Sequence, residues 1–260
     1  MKKILCLYHS GVGNTKVVAD YIGMYIKEIR KQHIDVYSIE DIPSDINYTE
    51  YNGVIIGFPT IHCNPSLRIT NFISNSILSD RPLPLFIYTT CGLYQANTTR
   101  IFSKLCKEKN LFTVLDASFR MPAIDGLLLT KKIKFFETCE KNIKLKIEYK
   151  CNRFIEILES DCNQNRTPPF QWLSIVNYPN KMIGSHYTLP IYLNSEKCIS
   201  CGTCHQHCPA QAIILDHNLP RWNKAACERC YRCIHHCPVD ALSLYKKNGP
   251  ARKWRAFSIK

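Results

Sequence analysis

Residues 3–8 form an apolar run that closes on a small-residue stretch, His9-Ser10-Gly11-Val12-Gly13-Asn14-Thr15. Beyond it Val17, Val18, Tyr21, Ile22, Tyr25, Ile26 and Ile29 recur at helical spacing, so the pattern predicts strand, loop, helix. Further apolar runs at 36–39, 53–58, 85–89 and 112–117, with helix-like segments between them, predict five strands alternating with helices. From Thr130 onward Ile133, Phe136, Ile143, Ile147, Phe154, Ile155 and Leu158 lie among lysines, which predicts long amphipathic helical structure closing the sheet. A polar stretch at 161–169 breaks the periodicity. The segment 172–193 then crosses to the C-terminal part, with Trp172, Tyr178, Tyr187 and Tyr192 expected to pack between the two parts.

The C-terminal part carries the most specific chemistry. Its runs Cys198-x2-Cys201-x2-Cys204-x3-Cys208-Pro209 and Cys227-x2-Cys230-x2-Cys233-x3-Cys237-Pro238 repeat at an offset of 29 residues, and their apolar tails match as well. Zinc sites use pairs of Cys-x2-Cys, often with His, whereas each run here has a third cysteine at the same pitch. A cuboidal iron–sulfur cluster needs four converging thiolates, and three on a tight loop leave one to be supplied from elsewhere.

Residues 190–246 resemble the bacterial two-cluster ferredoxins, in which the fourth cysteine of one run ligates the other cluster. The resemblance implies two 4Fe–4S clusters, the first held by Cys198, Cys201, Cys204 and Cys237, the second by Cys227, Cys230, Cys233 and Cys208. Pro209 and Pro238 would turn the chain after each long-range ligand. His205, His207, His235 and His236 are expected around the ligands, not among them. Glu228, Arg229 and Arg232 inside the second run depart from the less charged family pattern, and are expected to tune potential or to mark a docking edge.

The loop at 10–15 aims backbone N–H groups and hydroxyls at an anion, with the following helix adding a favourable dipole. No Gly-Lys-Ser/Thr ends it, and the dinucleotide spacing of three glycines is missing, so neither nucleotide motif fits. Ser10-Gly11-Val12-Gly13-Asn14-Thr15 instead resembles the Ser-Gly-Thr-Gly-Asn-Thr phosphate loop of flavodoxins, placed where that family places it, straight after the first strand. Val12 stands where a threonine is usual and gives up one hydroxyl contact. The resemblance implies bound FMN and a doubly wound five-stranded parallel sheet of order 2-1-3-4-5, with the ligand beyond the C-terminal strand ends. Two more loops would flank the flavin, Pro59-Thr60-Ile61-His62-Cys63-Asn64-Pro65 and Thr90-Cys91-Gly92-Leu93-Tyr94-Gln95-Ala96-Asn97, with His62 and Tyr94 as the rings available to stack on it. The stretch Arg120-Met121-Pro122-Ala123 is expected near the flavin edge. Cys6, Cys63, Cys91, Cys106, Cys139, Cys151 and Cys162 are read as small hydrophobes.

Composition adjusts this picture without redirecting it. The chain has 260 residues, enough for a domain of roughly 150 plus a smaller one. The expected division is a flavodoxin-like domain over 1–160, a linker over 161–189, and an α+β ferredoxin domain with a basic tail over 190–260. Fifteen cysteines, eight of them in the two runs, do not read as a secreted disulfide framework. With no apolar stretch of signal-peptide or membrane-span length, a cytoplasmic protein is expected. The formal net charge of +13 falls to about +7 once cluster thiolates, cluster cores and a flavin phosphate are counted. Such a charge would steer an acidic redox protein partner. The tail residues Lys246, Lys247, Arg252, Lys253 and Arg255 match no nucleic-acid-binding motif, so nucleic acid is not the expected partner.

The two halves together resemble the fused flavodoxin–ferredoxin proteins, the EFR-type ferredoxins. That resemblance implies electron transfer between two 4Fe–4S clusters and FMN, and to or from a protein partner. Three alternatives stay open: a flavin-dependent reductase of a small organic substrate wired by its own clusters, a ferredoxin whose flavodoxin-like domain is an empty docking module, and, as the weakest, a nucleic-acid-associated redox sensor that would use the basic tail.

Overall fold

The structure is a computed structural model, and it describes residues 1–76, 81–129, 132–160, 164–176, 190–245, 253, 254 and 259. Five strands form the main sheet: β1 (Lys3–Tyr8), β2 (His33–Ser38), β3 (Gly53–Ile61), β4 (Leu83–Cys91) and β5 (Leu111–Arg120). Their order is β2-β1-β3-β4-β5, every neighbouring pair is parallel, and a two-residue return strand, Asn64–Pro65, pairs antiparallel with the end of β3. This is the predicted flavodoxin-like order. β2 begins three residues before the expected run because its partly covered edge position admits His33 and Asp35 in the ladder.

Both faces of the sheet are covered, which is why the central strands read as nearly unbroken apolar runs. Ile4, Cys6, Tyr8, Ile55, Phe86 and Tyr88 pack toward α1 (Asn14–Met24), which continues through a π turn at Tyr25–Ile29, and toward a C-terminal helix over Ile143–Glu159. Leu5, Leu7, Val54, Ile56, Leu85 and Ile87 point the other way, onto α2 (Leu67–Asn75) and α3 (Thr98–Lys107). Adjacent residues of one strand thus serve opposite cores, the period-two consequence of a pleated backbone. The expected helical structure after residue 130 is a short 3-10 turn, Lys134–Glu137, and then the Ile143–Glu159 helix, α5 in chain order after α4 (Ile124–Leu129). Its buried stripe is Ile143, Ile147, Cys151, Phe154, Ile155 and Leu158, all within 9% exposure. Cys6, Cys106 and Cys151 are fully buried, as small hydrophobes would be, and Cys162 lies outside the described residues.

The C-terminal part is smaller. The antiparallel hairpin β7 (Ile213–Asp216) and β8 (Leu219–Trp222) follows the first cysteine run, and β6 (Tyr192–Leu193) pairs with β9 (Leu242–Ser243). Duplication extends to the backbone. Ser200 and Arg229, Gly202 and Tyr231, and Gln211 and Asp240 are each 29 residues apart, and all six have positive φ. The Sγ of Cys208 accepts from Ala212 N–H and that of Cys237 from Ala241 N–H, both at 3.3 Å.

The two parts share a core. Leu128 of α4 is fully buried among Ile213, Tyr231, Ile234, Leu242 and Leu244. Of the aromatics expected between the parts, Tyr178 and Tyr187 lie outside the described residues and Tyr192 is half-buried. Trp172 is 75% exposed and meets the ring edge of Phe170, so it does not pack there; the contact between the parts runs through Leu128 of α4 instead.

Candidate functional site

β1, β3 and β4 end at one edge of the sheet and deliver three loops to it. Gly13 sits before the first turn of α1 with φ 132°, a conformation that strains any residue with a Cβ. Ser10 Oγ accepts from Lys16 N–H at 3.3 Å, drawing the loop over the helix start. Among the described residues, no acceptor is bonded to the backbone N–H groups of Gly11, Val12, Gly13, Asn14 or Thr15. Five donors at the positive end of a helix, with no protein acceptor, suit an anion the size of a phosphate. By this test the residues fit a flavin phosphate.

The other loops are tied to this one. Thr15 Oγ1 and Thr90 Oγ1 are 2.8 Å apart, and Thr60 Oγ1 is 2.8 Å from Thr89 Oγ1. Tyr88 donates from beneath to Thr15 O, and only a glycine at 57 lets its ring pass, since a Cβ there would lie 1.9 Å from it. Asn14 Nδ2 donates to Pro122 O, and a Cβ on Gly92 would meet Ala123, so the 120–123 stretch does run beside the site. Pro59, Thr60 and Ile61 end β3, and His62 and Cys63 turn the hairpin with φ of 46° and 61°. Burial and the charge of Arg229 lower the His62 pKa, against an opposing pull from Asp125. Cys91 is buried, its thiol pushed up to about 12 by burial, which suits packing and not nucleophilic work. Tyr94 is half-buried, with a shielded hydroxyl that meets no hydrogen-bond partner among the described residues.

The cysteines surround two cavities. One, of about 390 Å³ counting space open to solvent, is lined by Cys198, Cys201, Cys204 and Cys237. The other, of about 320 Å³ on the same measure, is lined by Cys208, Cys227, Cys230 and Cys233. Each ring therefore takes three cysteines from one run and one from the other, and four soft thiol donors around a void fit an iron–sulfur cluster. Cys201 is exposed, whereas Cys230 and Cys233 are buried. None of the four neighbouring histidines is among the lining residues. His205 Nδ1–H donates to Ile213 O, His235 Nε2–H donates to Ile124 O, and the exposed His207 and His236 stack with centroids 5.8 Å apart.

The second cavity abuts the loop at 10–15. A Cβ on Gly11 would lie 3.1 Å from Cys230 Cβ. Arg232 donates from Nε to Gly11 O and from Nη2 to Ser10 O, and its Nη1 reaches His207 O at 3.2 Å. Glu40 lies 3.8 Å from this guanidinium and accepts from His9 Nδ1–H at 2.9 Å. Burial alone would raise the Glu40 pKa, but the His9 hydrogen bond and the Arg232 charge hold it below the usual range. On the far side of the fully buried His9 ring, Glu228 lies 3.7 Å from Nε2, and burial raises its pKa. The Trp254 indole lies against Gly13 and donates to Asn14 Oδ1 at 2.7 Å, while its backbone N–H donates to His235 Nδ1.

The sequence marks Arg232 and Glu228 as unusual but gives no sign of their partners Glu40 and His9, nor of Trp254 against Gly13 and Asn14. The available signals were two carboxylates and a buried imidazole far apart in the chain, which spacing alone cannot bring together. Lys253 pairs with Asp240, and the other tail cations lie outside the described residues. No helix among the described residues is long and apolar enough to cross a membrane.

Residues 5–117 match the family model of the flavodoxin domain, and residues 190–238 match that of the 4Fe–4S dicluster domain. Among solved structures, the chain is similar to a flavodoxin from the domain Archaea, at 20% identity over 61% of this chain and 97% of that one, with a TM-score of 0.43. Oxidised flavodoxin 1 from Bacillus cereus gives 19% identity, 59% and 97% coverage and a TM-score of 0.43. A metal-soaked Flv1 flavodiiron core from Synechocystis sp. PCC6803 gives 12%, 62% and 36%, with a TM-score of 0.44. No curated protein matches the chain.

Proposed function

Because the chain belongs with the fused flavodoxin/ferredoxin proteins, a flavodoxin domain followed by a 4Fe–4S dicluster domain, we propose that it carries electrons between two 4Fe–4S clusters, FMN and a redox protein partner. The first cluster takes Cys198, Cys201, Cys204 and Cys237, and the second takes Cys227, Cys230, Cys233 and Cys208. FMN takes its phosphate contacts from Ser10, Gly11, Val12, Gly13, Asn14 and Thr15, and its ring is flanked by Pro59, Thr60, Ile61, His62, Thr90, Cys91, Gly92 and Tyr94. When bound, clusters supply one-electron chemistry and the flavin one- or two-electron chemistry.

The observation that carries this reading is the order of the sites. The cavity with the exposed Cys201 opens outward, while the cavity with the buried Cys230 lies against Gly11. The first run is therefore the docking edge for a partner, and the second run is the inner station beside the flavin loop. Backbone N–H groups hold the phosphate, and Thr15 with Thr90 and Thr60 with Thr89 fix the loops around the ring. The flavodoxin-like domain spans 1–160, the connection 161–189 and the ferredoxin domain 190–260, and an acidic surface on the partner suits the basic charge.

An anaerobic reductive titration of the loaded chain tests the reading. The expected uptake is about four electrons, one per cluster and two at the flavin. Uptake of about two, with no flavin bleaching, would leave a plain ferredoxin.

A further inference from the structure

Arg232 belongs to the second cysteine run, yet two of its three bonds are to carbonyls of the phosphate loop, Ser10 O and Gly11 O. The described peptides are trans, so the carbonyl and the N–H of one peptide point in opposite directions. The Ser10 carbonyl shares its peptide with Gly11 N–H, and the Gly11 carbonyl shares its peptide with Val12 N–H. A guanidinium that pulls both carbonyls toward the second cavity therefore turns both N–H groups away from it, onto the anion side of the loop. Those N–H groups have no protein acceptor among the described residues. The planar fork of arginine fits two neighbouring carbonyls, which a lysine ammonium would grip less well.

The same guanidinium reaches the carbonyl of His207, the residue before Cys208, and Arg232 itself stands between Cys230 and Cys233 in the sequence of its own run. One side chain thus touches the backbone that carries ligands of the second cavity and the backbone that would hold the flavin phosphate. Trp254, also from the C-terminal part, secures the other end of the loop at Gly13 and Asn14.

We propose that Arg232 is a positioning residue for the flavin phosphate, and that filling of the second cysteine-ringed cavity and binding of FMN are thereby coupled. The proposal rests on the reading that FMN binds at residues 10–15. A cluster orders its run only when present, so losing it frees Arg232 and relaxes the Gly11 and Val12 donors. By reciprocity, FMN bound at the loop stabilises the loaded second run to the same degree.

The test measures FMN and riboflavin dissociation constants on the full chain, anaerobically, with iron and acid-labile sulfide assayed on each sample. Wild type should bind FMN more tightly than riboflavin. R232A with full iron should bind FMN about tenfold more weakly and riboflavin unchanged, and R232K should fall between. Stripping the clusters from wild type should weaken FMN by a similar factor, and stripping R232A should add little. If R232A does not retain iron, R232K carries the comparison. FMN affinity unchanged in an iron-replete Arg232 variant, or equal weakening of both flavins, would overturn the proposal. A wild type that binds both flavins equally would instead remove the phosphate reading beneath it.

Discussion

The two cysteine runs have the same ligand spacing, the same left-handed residues and the same thiolate hydrogen bonds, yet they occupy opposite environments. Between its first three cysteines the first run carries Ile199, Ser200, Gly202 and Thr203, and Ile199 is 62% exposed. The second carries Glu228, Arg229, Tyr231 and Arg232 at the corresponding positions, and Glu228 and Tyr231 are almost fully enclosed. Ligand spacing fixes what a run can hold. The residues between the ligands fix where it stands: one run toward solvent, the other against His9, Ser10 and Gly11.

The largest expected effect comes from breaking the shared ligand pattern. Cys208→Ala should remove about half the iron and abolish the signal of the second cluster while sparing the first, although Cys208 lies in the first run. Equal loss of both clusters in a cluster-resolved EPR measurement would contradict the crossed rings of cysteines.

Next in size is Gly13→Val. Its Cβ would collide with the Trp254 ring and its φ is strained, so FMN affinity should fall at least about tenfold with iron content unchanged. Retained flavin in an equilibrium titration would argue against the phosphate loop.

His9→Ala acts only on the inner side. It leaves Glu228 and Glu40 without the imidazole between them and should destabilise the protein by about 2 kcal/mol in denaturant unfolding. The smallest effect belongs to the outer run, where Ile199→Val, which keeps the apolar lining of the first cavity, should change stability by less than about 0.5 kcal/mol and leave iron and flavin content intact. A large loss there would erase the contrast between the runs.

The elements of this contrast differ in how far sequence reveals them. Cysteine pitch, the 29-residue repeat and the strand–loop–helix at the N-terminus are local, so both cofactor types and the sheet order were legible. The packing of Leu128 against Tyr231, Ile234 and Leu242, the His9–Glu228 contact and the placement of Trp254 over Gly13 join residues more than a hundred positions apart. No periodicity marks such pairs. Trp172 shows the converse, since an aromatic in a crossing segment is as compatible with a solvent-facing position as with a packed one.

The most direct test of the account is the stoichiometry of the anaerobically purified chain, with iron, acid-labile sulfide and released flavin determined on one sample. About eight iron and one FMN per chain are expected. Eight iron with no flavin, persisting after incubation with FMN, would contradict a carrier that joins two clusters to a flavin.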